Sequence, residues 1–124
     1  MTQKQIEQET ITIRVSLAGK AVILSMRMLS MTEESQLRQR YSGLTDSTEK
    51  GTVADQEWLI NRDALKEFAA DGDLQVITTS AADQKPEPVP VAEYFSQRSA
   101  FKERVAEYAV RGFLSKLAPD VSFL

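Results

Sequence analysis

The sequence predicts an α+β fold: an N-terminal antiparallel β-hairpin packed with several α-helices, ending in a long amphipathic C-terminal helix. Three observations predict it. Residues 11–17 alternate apolar and polar side chains, the period of a strand with one wet face. Apolar residues recur every fourth position from Phe101 to Leu117, the period of a helix with one dry stripe. Between them, Ser30-Met31-Thr32-Glu33 has the S-x-x-E spacing in which a serine and a glutamate satisfy each other's free backbone amides at a helix start.

Taken in order, residues 1–9 (MTQKQIEQE) hold almost no apolar anchor and read as a flexible terminus. In the first strand Ile11, Ile13, Val15 and Leu17 alternate with Thr10, Thr12, Arg14 and Ser16. Ala18-Gly19-Lys20 supplies the turn, because Gly19 adopts positive φ without steric cost. Ala21 to Leu29 follows as the more buried strand, with Val22, Leu24, Met26 and Met28 on one face and Ala21 and Ile23 on the other. The capped helix should run from about Met31 to Tyr41, with Leu37 and Tyr41 inward and Arg38 and Arg40 outward.

Residues 42–51 (SGLTDSTEKG) form a polar, glycine-bounded loop. A second helical pattern opens at Thr52-Val53-Ala54-Asp55, places Ala54, Trp58, Leu65, Phe68 and Ala69 near one stripe, and meets a stop at Asp71-Gly72. Residues 53–70 fit either one helix or an extended piece followed by a shorter helix capped by Asn61. Residues 74–79 (LQVITT) suit a short strand, and residues 80–90, with three of the four prolines, read as an extended connection outside the core. A short helix from Val91 to Gln97 should present Tyr94 and Phe95. The long helix follows, capped by Ser99 and ended by Ala118-Pro119. A chain of 124 residues in this pattern reads as one domain spanning 1–124.

Composition narrows the chemistry. There is no histidine and no cysteine, which removes the commonest general base, the reactive thiol and the nitrogen and sulfur metal ligands together. No catalytic residues, no cofactor and no metal are therefore expected. Fifteen basic against eighteen acidic residues leave a net charge of −3, which argues against nucleic acid as a partner. The longest apolar stretch, Ala21 to Leu29, is interrupted by Ser25 and Arg27 and is too short for a membrane span. A cytoplasmic protein with no membrane contact is the expectation.

Candidate sites reduce to simpler roles on inspection. Glu33 with Glu34, and Asp71 with Asp73, are paired carboxylates, but they fall at a helix start and a glycine turn, where capping and solvation account for them. Asp71-Gly72-Asp73 also lacks the further oxygens of a calcium loop. Arg38 and Arg40 beside Tyr41 form the nearest thing to a basic patch, and Glu33 and Glu34 lie on the same helix to balance it. Trp58, the single tryptophan, reads as a core anchor.

What remains points to protein binding. Met26, Met28 and Met31 cluster at the hairpin exit, and methionine suits surfaces that accept varied partners. Tyr94 and Phe95, with Phe101, Val105, Phe113 and Leu117, extend the apolar set along the last third of the chain. The apolar arc of the last helix looks wider than one hairpin can cover, which predicts a weak homo-oligomer.

The order of these elements resembles the tail assembly chaperones of long-tailed bacteriophages. The correspondence is carried by the hairpin ITIRVSLAGKAVILSMRML, the capped helix SMTEESQLRQRY and the closing segment PVPVAEYFSQRSAFKERVAEYAVRGFLSKL. The resemblance implies a non-enzymatic protein of the host cytoplasm that binds the tape-measure and tail-tube proteins during tail assembly and is absent from the finished tail. It also implies that a longer, frameshifted form can exist. Two other classes stay open at this point: a structural neck or tail-completion protein, and a small DNA-binding or anti-host regulator.

Overall fold

The hairpin forms as the alternation predicts. Strand β1 (Thr10–Leu17) pairs antiparallel with β2 (Lys20–Arg27), Leu17 facing Lys20 at the turn and Thr10 facing Arg27 at the open end. The two turn residues, Ala18 (φ 50°) and Gly19 (φ 78°), are both left-handed, the arrangement whose twist matches that of the flanking strands. Ile11, Ile13 and Val15 are buried on one face, whereas Thr12, Arg14 and Ser16 project exposed from the other. The computed structural model describes residues 9–44, 51–78 and 85–118. Most of the expected flexible start (residues 1–8), the middle of the polar loop (45–50), the last residue of the expected 74–79 strand with the first part of the proline-rich connection (79–84), and the stop at Pro119 lie outside the described residues.

The sheet is larger than the hairpin. Four strands lie in the order β1-β2-β3-β4, all antiparallel, with β3 at Ala69–Thr78 and β4 at Glu87–Pro90. Helices α1 (Met31–Ser42), α2 (Val53–Phe68), α3 (Val91–Tyr94) and α4 (Ala100–Leu117) complete an α+β architecture. None of the helices among the described residues is long and apolar enough to cross a membrane.

Helix α2 is continuous, which resolves the reading of residues 53–70 in favour of one helix with Asn61 inside it. A capping box of Thr52 and Asp55 starts it. Trp58, Leu65 and Phe68 are buried as the stripe requires, but Ala54 in the first turn is exposed and Ala64 takes an inner position instead. The helix stops at Phe68, before the expected Asp71-Gly72 signal. Ala69 turns extended (φ −65°, ψ 128°) because it pairs at once with Met26 of β2. Asp71 and Gly72 belong to a bulge: the ladder passes from Met26↔Ala69 to Leu24↔Leu74, leaving residues 70–73 looped out of register. Gly72 supplies the positive φ of 79°, and the Asp73 amide donates to Asp71 Oδ1 at 3.2 Å.

The proline-rich connection also needs correction, since its last four residues are an edge strand. β4 pairs Val89 with Leu74 and Glu87 with Val76. The closing Leu17–Lys20 pair makes the odd residues of β1 and the even residues of β2 exchange hydrogen bonds, so in β3 residues 75 and 77 bond to β2 while 74 and 76 face β4. Pro88 and Pro90 therefore fall where a strand's N–H would point away from the sheet. That is where an edge strand accommodates proline.

The core lies between one sheet face and the helices. Ile13, Leu24, Met26 and Leu74 from the sheet meet Trp58, Leu65 and Phe68 of α2 and Val105, Ala109 and Phe113 of α4. Ser99 caps α4 by accepting from the Lys102 amide. The wide apolar arc of α4 packs against both β1 and α2. Val105, Ala106, Ala109, Val110 and Phe113 of the arc that suggested a homo-oligomer are buried in this way, while Phe101, Leu114 and Leu117 are half-buried.

Candidate protein-binding site

The nine residues expected to bind protein separate into three groups. Met26, Phe95, Val105 and Phe113 are fully enclosed in the core and offer no surface. Tyr94, Phe101 and Leu117 are half-buried against that core. Phe95 lies beyond the end of α3 and turns inward instead of being presented, its ring edge-on to Trp58 (6.1 Å between centroids) and to Tyr94 (4.9 Å). Burial pushes the Tyr94 phenol above its ordinary value. Trp58 is thus a core anchor.

Met28 and Met31 stand apart, with 41% and 88% of their surface exposed. The alternation that places Val22, Leu24 and Met26 inward stops at Arg27, where β2 ends. Met28 still donates its amide to the Glu9 carbonyl (2.9 Å), but Leu29 takes the next buried position and Met28 is left outside. Met31 then opens α1, a helix with Leu37 as its one buried residue.

This corner is held by charge. Glu33 accepts two hydrogen bonds from the Arg27 guanidinium, at 3.0 and 2.9 Å, and a third from the Ser30 amide, while Ser30 Oγ accepts from the Glu33 amide. The Arg27 bonds, then the Ser30 amide, hold the Glu33 carboxyl down at about 2. The same pairing raises Arg27. Arg27 also stacks over the Phe68 ring (5.3 Å), and Arg40, which is paired with Glu67, approaches that ring at 5.9 Å. The carboxylate pair Glu33 and Glu34 is consumed in this way, because Glu34 pairs with Arg38. Arg38 further donates to the Leu114 carbonyl. The basic patch of α1 is a set of tied side chains. Along the outer side of α1 runs a groove of about 410 Å³, lined by Met31, Glu34, Ser35, Arg38, Gln39 and Ser42.

A smaller pocket of about 160 Å³ lies beside Tyr41, Glu57, Asn61, Glu107 and Arg111. The Tyr41 hydroxyl donates to Asn61 Oδ1 at 2.5 Å, which satisfies a carboxamide that is only 4% exposed. Burial, and then the nearby Glu57 carboxylate, push the Tyr41 phenol upward against the smaller opposing pull of Arg40. Arg111 is paired with Glu107. A phenol held in its neutral form donates a hydrogen bond and supplies no base. Tyr41 thus bonds to Asn61 and Arg111 to Glu107 within the pocket, and no sequence pattern flagged it, since Asn61 and Tyr41 meet across twenty residues.

Among the described residues, no three acidic side chains come together as a metal site would require. No family model matches the chain, and neither a curated protein nor a solved structure matches it.

Proposed function

We propose that this chain is a non-enzymatic protein-binding domain, acting as a phage tail assembly chaperone for tape-measure and tail-tube proteins in the host cytoplasm. The observation that carries the reading is the methionine corner: Met28 and Met31, large, flexible and exposed, sit on a frame fixed by the Arg27–Glu33–Ser30 cap. Unbranched thioether side chains adapt to varied apolar partners, and the groove beside Met31 gives a client helix a place to lie. Covering apolar client surface contributes roughly 25 cal/mol per Å² before the entropic cost of association is subtracted. The client's helices stay soluble for as long as they are covered.

The test is co-expression with the candidate tail proteins and capture of the complex. The wild type is expected to retain a tape-measure or tube protein, and the double variant Met28→Ser, Met31→Ser to release it while keeping its own circular dichroism. Retention of neither client by the wild type would sink the chaperone reading. Finding the chain by mass spectrometry in purified particles would replace it with a structural tail component.

A further inference from the structure

We propose that the outer edge of β1, together with the flank of α4, receives an extended acidic segment of a partner protein as an added β-strand. Two hydrogen bonds fix which way the backbone of β1 faces. The Glu9 carbonyl accepts from Met28 on the β2 side, so odd-numbered residues serve the hairpin. The Thr12 carbonyl accepts from the Lys116 ammonium of α4 at 3.1 Å, so even-numbered residues face outward. In an antiparallel ladder this alternation is strict, and among the described residues the amides of Thr12, Arg14 and Ser16 and the carbonyls of Arg14 and Ser16 consequently line an open edge, with the Thr12 carbonyl held by Lys116. Such a row is a template for another strand.

The edge is the side of a groove of about 400 Å³ whose opposite wall is α4, through Tyr108, Gly112 and Lys116. Gly112 is the helix's point of approach: a Cβ there would already touch Ile13 Cγ2 at 3.7 Å, and its absence leaves the groove deep. An extended backbone running beside β1 would lie between the strand and this helix.

Charge selects the occupant. Six arginines of the described residues (27, 38, 40, 62, 98 and 111) are paired with carboxylates. Arg14 and Lys116 have no acidic partner among the described residues. Arg104, exposed and one helical turn before Tyr108, has none either. In a chain of net charge −3, the two arginines without a carboxylate partner among the described residues thus stand with Lys116 at one margin, whereas Lys20, Lys66, Lys85 and Lys102, which also lack an ion pair there, do not line the groove. Arg14 projects from the sheet face away from the helices and Lys116 from the helix side, so both faces of an added strand meet a cation. A second copy of the chain fits poorly, because pairing β1 with itself would bring two copies of Arg14 and of Lys116 together. An acidic strand meets both without repulsion.

This proposal rests on the reading of the chain as a binding domain, but it uses none of the methionine corner, so the two fail separately. The probe is a fluorescein-labelled peptide, Asp-Asp-Val-Val-Glu-Glu-Val-Val, which carries carboxylates on both faces of a strand, titrated into the full chain, with a second peptide of the same sequence in which every backbone amide nitrogen is methylated. The unmethylated peptide should bind, more weakly as salt is raised. At ten times its Kd it should slow hydrogen exchange of the Thr12, Arg14 and Ser16 amides by about tenfold. Arg14→Glu and Lys116→Glu should each weaken binding by about two- to fivefold. The N-methylated peptide keeps the charge but lacks the donors, and should bind less well and protect none of the three amides. Equal binding of the two peptides, protection confined to other residues, or no binding at low salt overturns the proposal. So does concentration-dependent protection of the same amides without peptide, which would assign the edge to a second copy. If the unmethylated peptide fails while tail proteins are still captured through Met28 and Met31, the edge proposal falls and the chaperone reading stands.

Discussion

The two edges of the sheet face the same hazard and meet it in opposite ways. β4 is four residues long and places Pro88 and Pro90 where its outward amides would be, so that edge has almost no donors to offer. β1 is eight residues long, keeps its outward amides at Thr12, Arg14 and Ser16, and is marked by charge instead. Proline closes an edge to every partner. Charge closes it to like-charged strands and leaves it open to opposite ones, so the difference between the two margins is one of selectivity as well as length.

The largest effects should come from the packing that holds each edge in place. Phe113 stands on the helix that backs β1, and Phe95 packs beneath the β4 side with Trp58 and Tyr94. Both rings are fully enclosed. Truncation of either to alanine should cost about 3–5 kcal/mol in urea unfolding, with Phe95→Ala toward the upper end because two ring-edge contacts go with it. Sedimentation should stay unchanged in Phe113→Ala. A variant that kept its stability but altered its sedimentation would move Phe113 from the monomer core to an assembly contact.

The edges also mark where the sequence was readable. The hairpin, the Ser30 cap and α4 are written in local periods and capping residues, and each formed where it was expected. β3 was only partly visible, because Ala69-Ala70-Asp71-Gly72 is locally a good helix end and becomes strand only through pairing with Met26, more than forty residues away. β4 was hidden by its prolines, which exclude an inner strand but suit an outer one. The candidate site divides along the same line. Met31 is exposed because it opens a helix with one buried contact, which local sequence can suggest. Val105 and Phe113 looked available only while the sheet was taken to be a hairpin. The open edge of β1 has no local signature, since it is defined by the strand that does not pair with it.

The turn fixes which residues of β1 face outward, so changing it should sharpen the contrast at intermediate cost. Gly19→Ala forces a side chain into a φ of 78° and should destabilise by about 1–2 kcal/mol. Ala18, at φ 50°, is already in that region, and Ala18→Asn would create the Asn-Gly turn such hairpins favour, with a gain of up to about 1 kcal/mol. Thermal unfolding of the two variants should displace Tm in opposite directions. Equal losses in both would mean that the left-handed turn contributes nothing to the hairpin.

Restoring a donor to the blunt edge should cost little stability and change behaviour. Pro88→Val leaves the β3 ladder intact, because residue 88 bonds outward, and should alter stability by no more than about 0.5 kcal/mol. Sedimentation at rising concentration is expected to show more self-association than in the wild type. A variant that unfolds readily would instead mean that Pro88 supports β4 from within.

The smallest effect lies at the open end of the hairpin, where Thr10 faces Arg27 and Arg27 reaches Glu33. The folded protein holds Glu33 at about 2 against an ordinary value of 4.5, chiefly through the Arg27 hydrogen bonds. A carboxyl whose pKa is depressed by folding stabilises the fold above its ordinary value and loses that contribution as pH falls through the folded one. Glu33→Gln should therefore lower Tm slightly at neutral pH, by the small amount expected of a solvent-exposed pair. The gap between variant and wild type should narrow below pH 4.5 and close near pH 2. The other acids titrate in both proteins, so the difference isolates Glu33. A gap independent of pH would assign the effect to the lost Ser30 cap geometry, and the open end of β1 would then be held by the capping box without help from the ion pair.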